Sequence, residues 1–92
     1  MNRITEKNLE HLVKRINVLT KNPIDPYTMQ KNGKYKANVG NHHLDWAYGG
    51  VQLNVMSNES GGVSHVIYTG FTTKRNLYDQ MSSFIQGLEH KI

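Results

Sequence analysis

Four side chains in the middle of this chain are of types that can bind metals or move protons: His42, His43, Asp45 and His65. Neighbouring residues of a strand point to opposite faces, so only one of the His42-His43 pair can join Asp45 and His65 at a common site. His43 and Asp45, two apart, share a face, but no Glu or Cys is spaced to complete a tetrahedral set. The plainer account is a polar strand face with half-buried histidines, and no metal or other cofactor is expected. Nucleophilic catalysis has no better footing. Ser57, Ser60, Ser64, Ser82 and Ser83 lie in turn, strand and helix patterns without a Gly-x-Ser-x-Gly elbow, and cysteine is absent. The chain reads as a binder, with no enzymatic site.

Cations are the other chemistry-bearing group. Eleven Lys and Arg against seven Asp and Glu give a formal charge of +4. The excess is uneven: residues 1–36 carry eight basic and three acidic side chains, residues 37–92 three and four. A localised positive face is the footprint expected for a partner rich in phosphate or carboxylate. Lys7 and Lys14 fall on one side of a helical pattern, Lys31, Lys34 and Lys36 in or beside a polar loop, and Lys74 and Arg75 at the start of a second helix. At that last place the helix dipole disfavours cations while free N–H groups accept anions, so two cations there suit a bound phosphate or carboxylate. The competing account pairs Arg75 with Asp79 and leaves Lys74 in solvent. Those seven residues are the candidate partner-binding set. For the α-helical row, a merely solvated outer face is the commoner fate.

The elements that must position these groups follow from periodicity. Thr5 can cap a helix running to about Thr20 or Lys21, its apolar stripe formed by Leu9, Leu12, Val13, Ile16 and Leu19. Asn22-Pro23-Ile24-Asp25-Pro26 ends it. Residues 34–69 hold most of the β-branched and aromatic residues in period-2 alternation: Tyr35, Ala37 and Val39, then Val51, Leu53 and Val55, then Val63, His65 and Ile67. Gly49-Gly50 offers a φ > 0 pair for a two-residue hairpin, and Glu59-Ser60-Gly61-Gly62 a further turn. The alternation changes phase at Gly40-Asn41. Either a bulge bends one long strand there, the favoured reading, or the pair is a tight turn and there are four strands. Leu77, Tyr78, Met81, Phe84, Ile85 and Leu88 make a second helix over 72–91.

The expected fold is α+β, α-β-β-β-α with three or four strands, an antiparallel sheet with two helices on one face. It forms one domain over 1–92: helix 1–21, sheet 34–69, helix 72–91. Ninety-two residues bury only about 60–65% of the unfolded surface, near the lower end for a self-sufficient core. No apolar run approaches the roughly 18 residues of a membrane span, and the N-terminus lacks the apolar core of a signal peptide, so a cytoplasmic protein is expected.

Two resemblances sharpen the expectation. The order α-β-β-β-α, with Gly70-Phe71-Thr72-Thr73-Lys74-Arg75 before the last helix, resembles the double-stranded RNA-binding domain, which sets a lysine pair at this place against phosphates. The family's second glycine is absent, and its small-residue helix start is replaced by Asn76-Leu77-Tyr78. Over most of the chain, the segments HHLDWAYGGVQL (42–53), NESGGV (58–63) and GFTTKRNLYDQM (70–81) look like small phage-encoded anti-CRISPR proteins of the type I-F class. That resemblance implies a host-cell inhibitor that binds the crRNA-guided surveillance complex, on its protein subunits or crRNA backbone, and stops target DNA from hybridising. It transfers no binding residue, so the candidate set rests on charge.

Overall fold

The computed structural model describes residues 3–65 and 70–91. Its first helix, α1 (Glu6–Leu19), opens on Thr5. The Thr5 hydroxyl accepts from the Asn8 N–H at 3.3 Å, and the Asn8 side chain accepts from the Thr5 N–H at 2.9 Å, a reciprocal cap that satisfies two otherwise orphaned donors. The helix closes in a Schellman arrangement. The Asn22 N–H reaches the Asn17 carbonyl at 2.8 Å and the Lys21 N–H the Val18 carbonyl at 3.1 Å, with Lys21 left-handed at φ 59°.

A two-stranded ribbon follows, β1 (Tyr27–Met29) against β2 (Tyr35–Ala37), antiparallel; β2 is the expected first strand, and β1 lies where a polar loop is expected. The main sheet is β3 (His42–Ala47), β4 (Gly50–Met56) and β5 (Val63–His65) in that spatial order, all antiparallel. The chain ends in α2 (Lys74–Lys91), capped by Thr73, whose hydroxyl accepts from the Asn76 N–H at 3.1 Å. The order is thus α-β-β-β-β-β-α, an α+β fold with two antiparallel sheets.

Three details depart from the pattern-based reading. There are five strands in the described residues, and Gly40-Asn41 is neither a bulge in one long strand nor a hairpin turn. β2 pairs with β1 and β3 with β4, so at this point the chain leaves one sheet for the other. Gly40 permits the crossing with φ +92°, in a place where a Cβ would run into the Asn22 side chain. Second, the β3–β4 hairpin turns on Tyr48-Gly49, at φ 53° and 71°, because Ala47 already pairs with Gly50. Gly50 is needed for another reason: a Cβ there would lie 2.9 Å from the Thr72 carbonyl oxygen. Third, of the alternating set Tyr35, Ala37 and Val39, only Ala37 is buried; Tyr35 is 65% exposed and Val39 51%. Tyr35 and Ala37 share a face of the ribbon, of which only the Ala37 end is tied to the rest of the fold, through the Glu59 carbonyl, and Val39 lies beyond β2. The expected positions of Ile67, Tyr68 and Thr69 lie outside the described residues.

One apolar cluster holds the fold. Leu9, Val13 and Ile16 of α1, Val51 and Leu53 of β4, and Leu77, Met81 and Ile85 of α2 are buried together, with Leu12, Leu19, Leu44, Tyr78 and Phe84 packed around them. Register puts Leu44 beside Leu53 and Trp46 beside Val51, so both helices cover the same face of the main sheet. The two apolar stripes read from helical spacing are the ones used. Arg15 and Glu89 join the C-terminal halves of the helices at 2.6 Å, but both are about half exposed, which limits the pair to about 1 kcal/mol or less. Among the described residues, no helix is long and apolar enough to cross a membrane.

Candidate functional site

The candidate cations fall on three separate elements. Lys7 and Lys14 are exposed on α1. Lys31 and Lys34 are exposed in the turn of the ribbon, where Gly33 at φ +83° and hydrogen bonds from Gln30 N–H to the Lys34 carbonyl (2.8 Å) and from Gly33 N–H to the Gln30 carbonyl (3.0 Å) fix the loop. Lys74 and Arg75 are exposed in the first turn of α2. Among the described residues, Lys7, Lys14, Lys31, Lys34 and Lys74 have no carboxylate within ion-pair distance. Lys36 differs: its ammonium lies 3.4 Å from Glu59, across a strand edge where the Ala37 N–H also donates to the Glu59 carbonyl. It is compensated within the fold and is the weakest member of the set. Beside the ribbon's lysines, Tyr27, Met29 and Tyr35 share one face and are all exposed.

The histidines and Asp45 are organised by β3. His43 and Asp45 lie on the sheet face away from the helices, together with Gln52, Asn54 and His65 of the neighbouring strands. Asp45 Oδ2 accepts from the Gln52 and Asn54 side-chain amides at 3.4 and 3.3 Å. Asn54 Oδ1 sits 3.1 Å from His65 Nδ1, which must then be the donor, since the other end of that amide is given to Asp45. Asn54 thus stands between His43 and His65. Among the described residues no His, Cys, Asp and Glu side chains are grouped to hold a metal ion. His43 Nδ1 is buried with no hydrogen-bond partner among the described residues. Burial pushes the pKa of His43 down, against the opposing pull of the Asn41 carbonyl and the Asp45 carboxylate.

His42 faces the other way and is clamped by Asn17 of α1, which is only 1% exposed. Asn17 Oδ1 accepts from the His42 backbone N–H at 2.7 Å, and Asn17 Nδ2 donates to the His42 carbonyl at 3.0 Å. The side-chain amide therefore behaves as a one-residue strand laid along the outer edge of β3. Those two bonds fix which end of the amide is oxygen. The His42 ring nitrogen Nδ1, 3.1 Å from the same Oδ1, must therefore carry a proton. Burial lowers the His42 pKa, the Gly40 carbonyl partly opposes this, and His43 adds to the lowering. In its neutral form, the ring is thus the Nδ1–H tautomer.

Comparison with known proteins adds no identification. No family model matches the chain, and comparison with the curated proteins and with the solved structures finds no match either.

Next to the clamp, a groove of about 530 Å³ runs between α1, the segment 24–26 and the outer side of β3. The sequence reading missed this groove and the clamp. The available signal was Asn17 itself, a polar residue at a stripe position beside Val13 and Ile16.

Proposed function

We propose that this protein is a stoichiometric inhibitor of the type I-F anti-CRISPR kind. In this reading it acts in the cytoplasm of a phage-infected bacterium. It binds the crRNA-guided surveillance complex and blocks target DNA hybridisation by occlusion and charge, without breaking bonds. The observation that carries the reading is the set of exposed, unneutralised lysines on α1, the ribbon turn and the start of α2. A cation without a carboxylate partner retains its full attraction for an external anion, whereas Lys36 has part of that capacity taken by Glu59. Exposed Tyr27, Met29 and Tyr35 add apolar contact area beside Lys31 and Lys34.

A second reading, an autonomous nucleic-acid-binding module, draws support from one feature. Without the ribbon, the remaining order is α-β-β-β-α with both helices on one sheet face, the arrangement of double-stranded RNA-binding domains.

Native mass spectrometry and pull-down against the assembled surveillance complex, bare duplex DNA and bare duplex RNA separate the two. The inhibitor binds the complex at physiological salt and ignores bare nucleic acid. The autonomous module binds bare duplex with an affinity that falls steeply with salt, with a log–log slope near −0.9 per phosphate neutralised on duplex DNA. Charge reversal of Lys74 and Arg75 together should weaken binding more than reversal of Lys7 and Lys14, since the first pair adjoins a helix N-terminus. Negligible effects from both reversals and from reversal of Lys31 and Lys34 would remove the electrostatic basis of either reading.

A further inference from the structure

The outer edge of β3 is an incomplete sheet. Along an antiparallel strand, the N–H and C=O of one residue point to one side and those of the next to the other. Two observations fix which residues of β3 point outward. Val51 exchanges both of its bonds with Thr72, N–H to O at 2.9 Å and O to N–H at 3.0 Å, so it turns away from its partner Trp46. His42 gives its outward groups to the Asn17 side chain. Leu44 and Trp46 have the same parity as His42. Their backbone N–H and C=O groups therefore face outward, and among the described residues none pairs with them.

The fold covers some of its other outward rungs. Thr72 takes those of Val51 on the far side of β4, the Glu59 carbonyl takes the Ala37 N–H of the ribbon, and Asn17 takes the first rung of β3 itself. Uncovered edges are usually blunted by Lys, Pro or a bulge, and β3 has none of these between Leu44 and Ala47.

This edge does not face open solvent as a bare ribbon would. It forms the floor of the groove, with Val13 and Lys14 of α1 on one wall and Ile24 and Asp25 on the other. The second wall is held in place by two asparagines. Asn41 Nδ2 donates to the carbonyls of Pro23 and Ile24 at 2.8 and 2.9 Å, and Asn38 Nδ2 to the Asp25 carbonyl at 2.9 Å. Unpaired strand backbone lying beside a helix is the geometry by which extended peptides are captured through strand addition.

We infer that the edge of β3 and the flank of α1 form a docking groove for an extended polypeptide segment, which adds as a fourth strand to the main sheet through the backbone groups of Leu44 and Trp46. The occupant is a peptide because only another polypeptide backbone offers donors and acceptors at strand spacing. Nucleic acid would also meet the carboxylates of Glu10 and Asp25. A second copy of the chain is a poor occupant, since its own β3 edge carries the same α1 and 24–26 walls, which would meet those of the first. The lining defines the peptide's chemistry. Trp46, 42% exposed, with Val13 and Ile24 forms an apolar seat, while Glu10 and Asp25 outnumber Lys14. The segment therefore carries an apolar anchor and a nearby Lys or Arg. This inference rests on hydrogen-bond geometry and is independent of the cationic reading above.

The test begins with a random heptapeptide library on phage, panned against the immobilised full-length chain, with the selected peptides then synthesised. In the free protein, the Leu44 and Trp46 amides exchange with solvent quickly by ¹⁵N NMR, while those of His43 and Asp45, paired to β4, exchange slowly. At saturating peptide, the Leu44 and Trp46 amides slow tenfold or more. Trp46→Pro deletes one outward N–H together with the indole of the apolar seat, without touching the β4 ladder, and weakens binding at least tenfold; Trp46→Ala, which removes the indole alone, weakens it less. Should that variant fail to fold, Asp25→Lys, on the exposed wall, weakens the basic peptides several-fold instead. Charge reversal of Lys31 and Lys34 leaves peptide affinity unchanged. The inference is overturned if no heptapeptide is selected, or if selected peptides bind without slowing the two amides. It is equally overturned if the free chain self-associates with those amides already protected.

Discussion

Replacing Asn17 by alanine tests the largest energetic claim made for this fold. The wild-type side chain makes three hydrogen bonds to one residue, two of them to the His42 backbone at 2.7 and 3.0 Å. Truncation leaves a backbone N–H and C=O without protein partners. A buried unsatisfied group of this kind costs about 1–3 kcal/mol. The groove alongside admits some water, so the lower half of that range applies to each, and the expected loss is about 2–4 kcal/mol in all. For a chain of this length total stability is about 5–14 kcal/mol, so the loss is a large fraction of it. At about 4–8 °C per kcal/mol, the midpoint of thermal unfolding should fall by about 8–32 °C.

Urea denaturation at pH 8 is the assay, with the slope m required to stay constant so that the comparison concerns the native state. Asn17→Asp is the companion variant. It keeps one acceptor for the His42 N–H but turns a carboxylate oxygen toward the His42 carbonyl, so at pH 8 it should be at least as damaging as alanine. Near pH 5 it should recover part of the loss, because a proton on either the carboxylate or the imidazole removes the repulsion or creates an ion pair. A loss below about 0.5 kcal/mol for Asn17→Ala, the size of an ordinary surface change, would refute the reasoning. So would an Asn17→Asp variant insensitive to pH.

Other perturbations probe other parts of the structure. Burial holds the His42 and His43 imidazoles below the ordinary value of 6.5, so the unfolded chain binds more protons once the pH drops below that value. Stability should be full above pH 6.5 and decline toward the folded-state pKa values, by up to about 1.4 kcal/mol per pH unit for each histidine. His43→Gln should flatten the slope of urea midpoints between pH 7 and 5, and a flat wild-type profile would contradict the burial argument. Gly50→Ala should cost about 1–3 kcal/mol by forcing a Cβ against Thr72 backbone. Gly49→Ala, at φ +71° but with nothing within 4 Å, should cost about 1 kcal/mol; paired thermal melts give the order, and the reverse order would show that turn strain outweighs contact. Lys21→Gly should raise stability by about 1 kcal/mol, since it relieves a left-handed lysine in the Schellman turn; a drop in the denaturation midpoint would show that the lysine contributes there in another way.

Both helices were legible because helical burial is a local property. Leu9, Val13 and Ile16, and Leu77, Met81 and Ile85, repeat with the helix period, and the same residues fill the core. The strands of the main sheet were legible as strands for the same reason, through Val51 and Leu53. Pairing was not. Whether residues 34–48 make one bent strand or two depends on where Tyr27–Met29 lies, and that short segment just after Pro26 carries no distinctive signal. The hairpin was misplaced by one residue because Tyr48, exposed at 93% and edge-on to Phe71 at 5.3 Å between ring centroids, takes a left-handed conformation that glycine usually fills. The cations were found as exposed residues, but their pairing was beyond the pattern. Nothing in the spacing of Lys36 and Glu59 announces that they meet, since the contact exists only because the ribbon packs beside the β4–β5 turn.

The two surfaces respond to different physics, and that difference can be used. Attraction between exposed lysines and phosphates is screened over about 8 Å at physiological ionic strength and weakens further as salt rises. Backbone pairing along β3 carries no net charge and is nearly indifferent to salt. Only its charged lining, Glu10 and Asp25 against Lys14, contributes an electrostatic share, and the net of that share has the opposite sign, favouring basic partners. A partner that engaged the lysines alone would be lost in high salt. One that also laid a strand into the groove would keep a salt-resistant component, and that component would vanish with Trp46→Pro and survive reversal of the lysines. The same fold would then join an anionic surface through long-range charge and a neighbouring polypeptide through short-range geometry, as a protein seated on a nucleoprotein assembly would need to do.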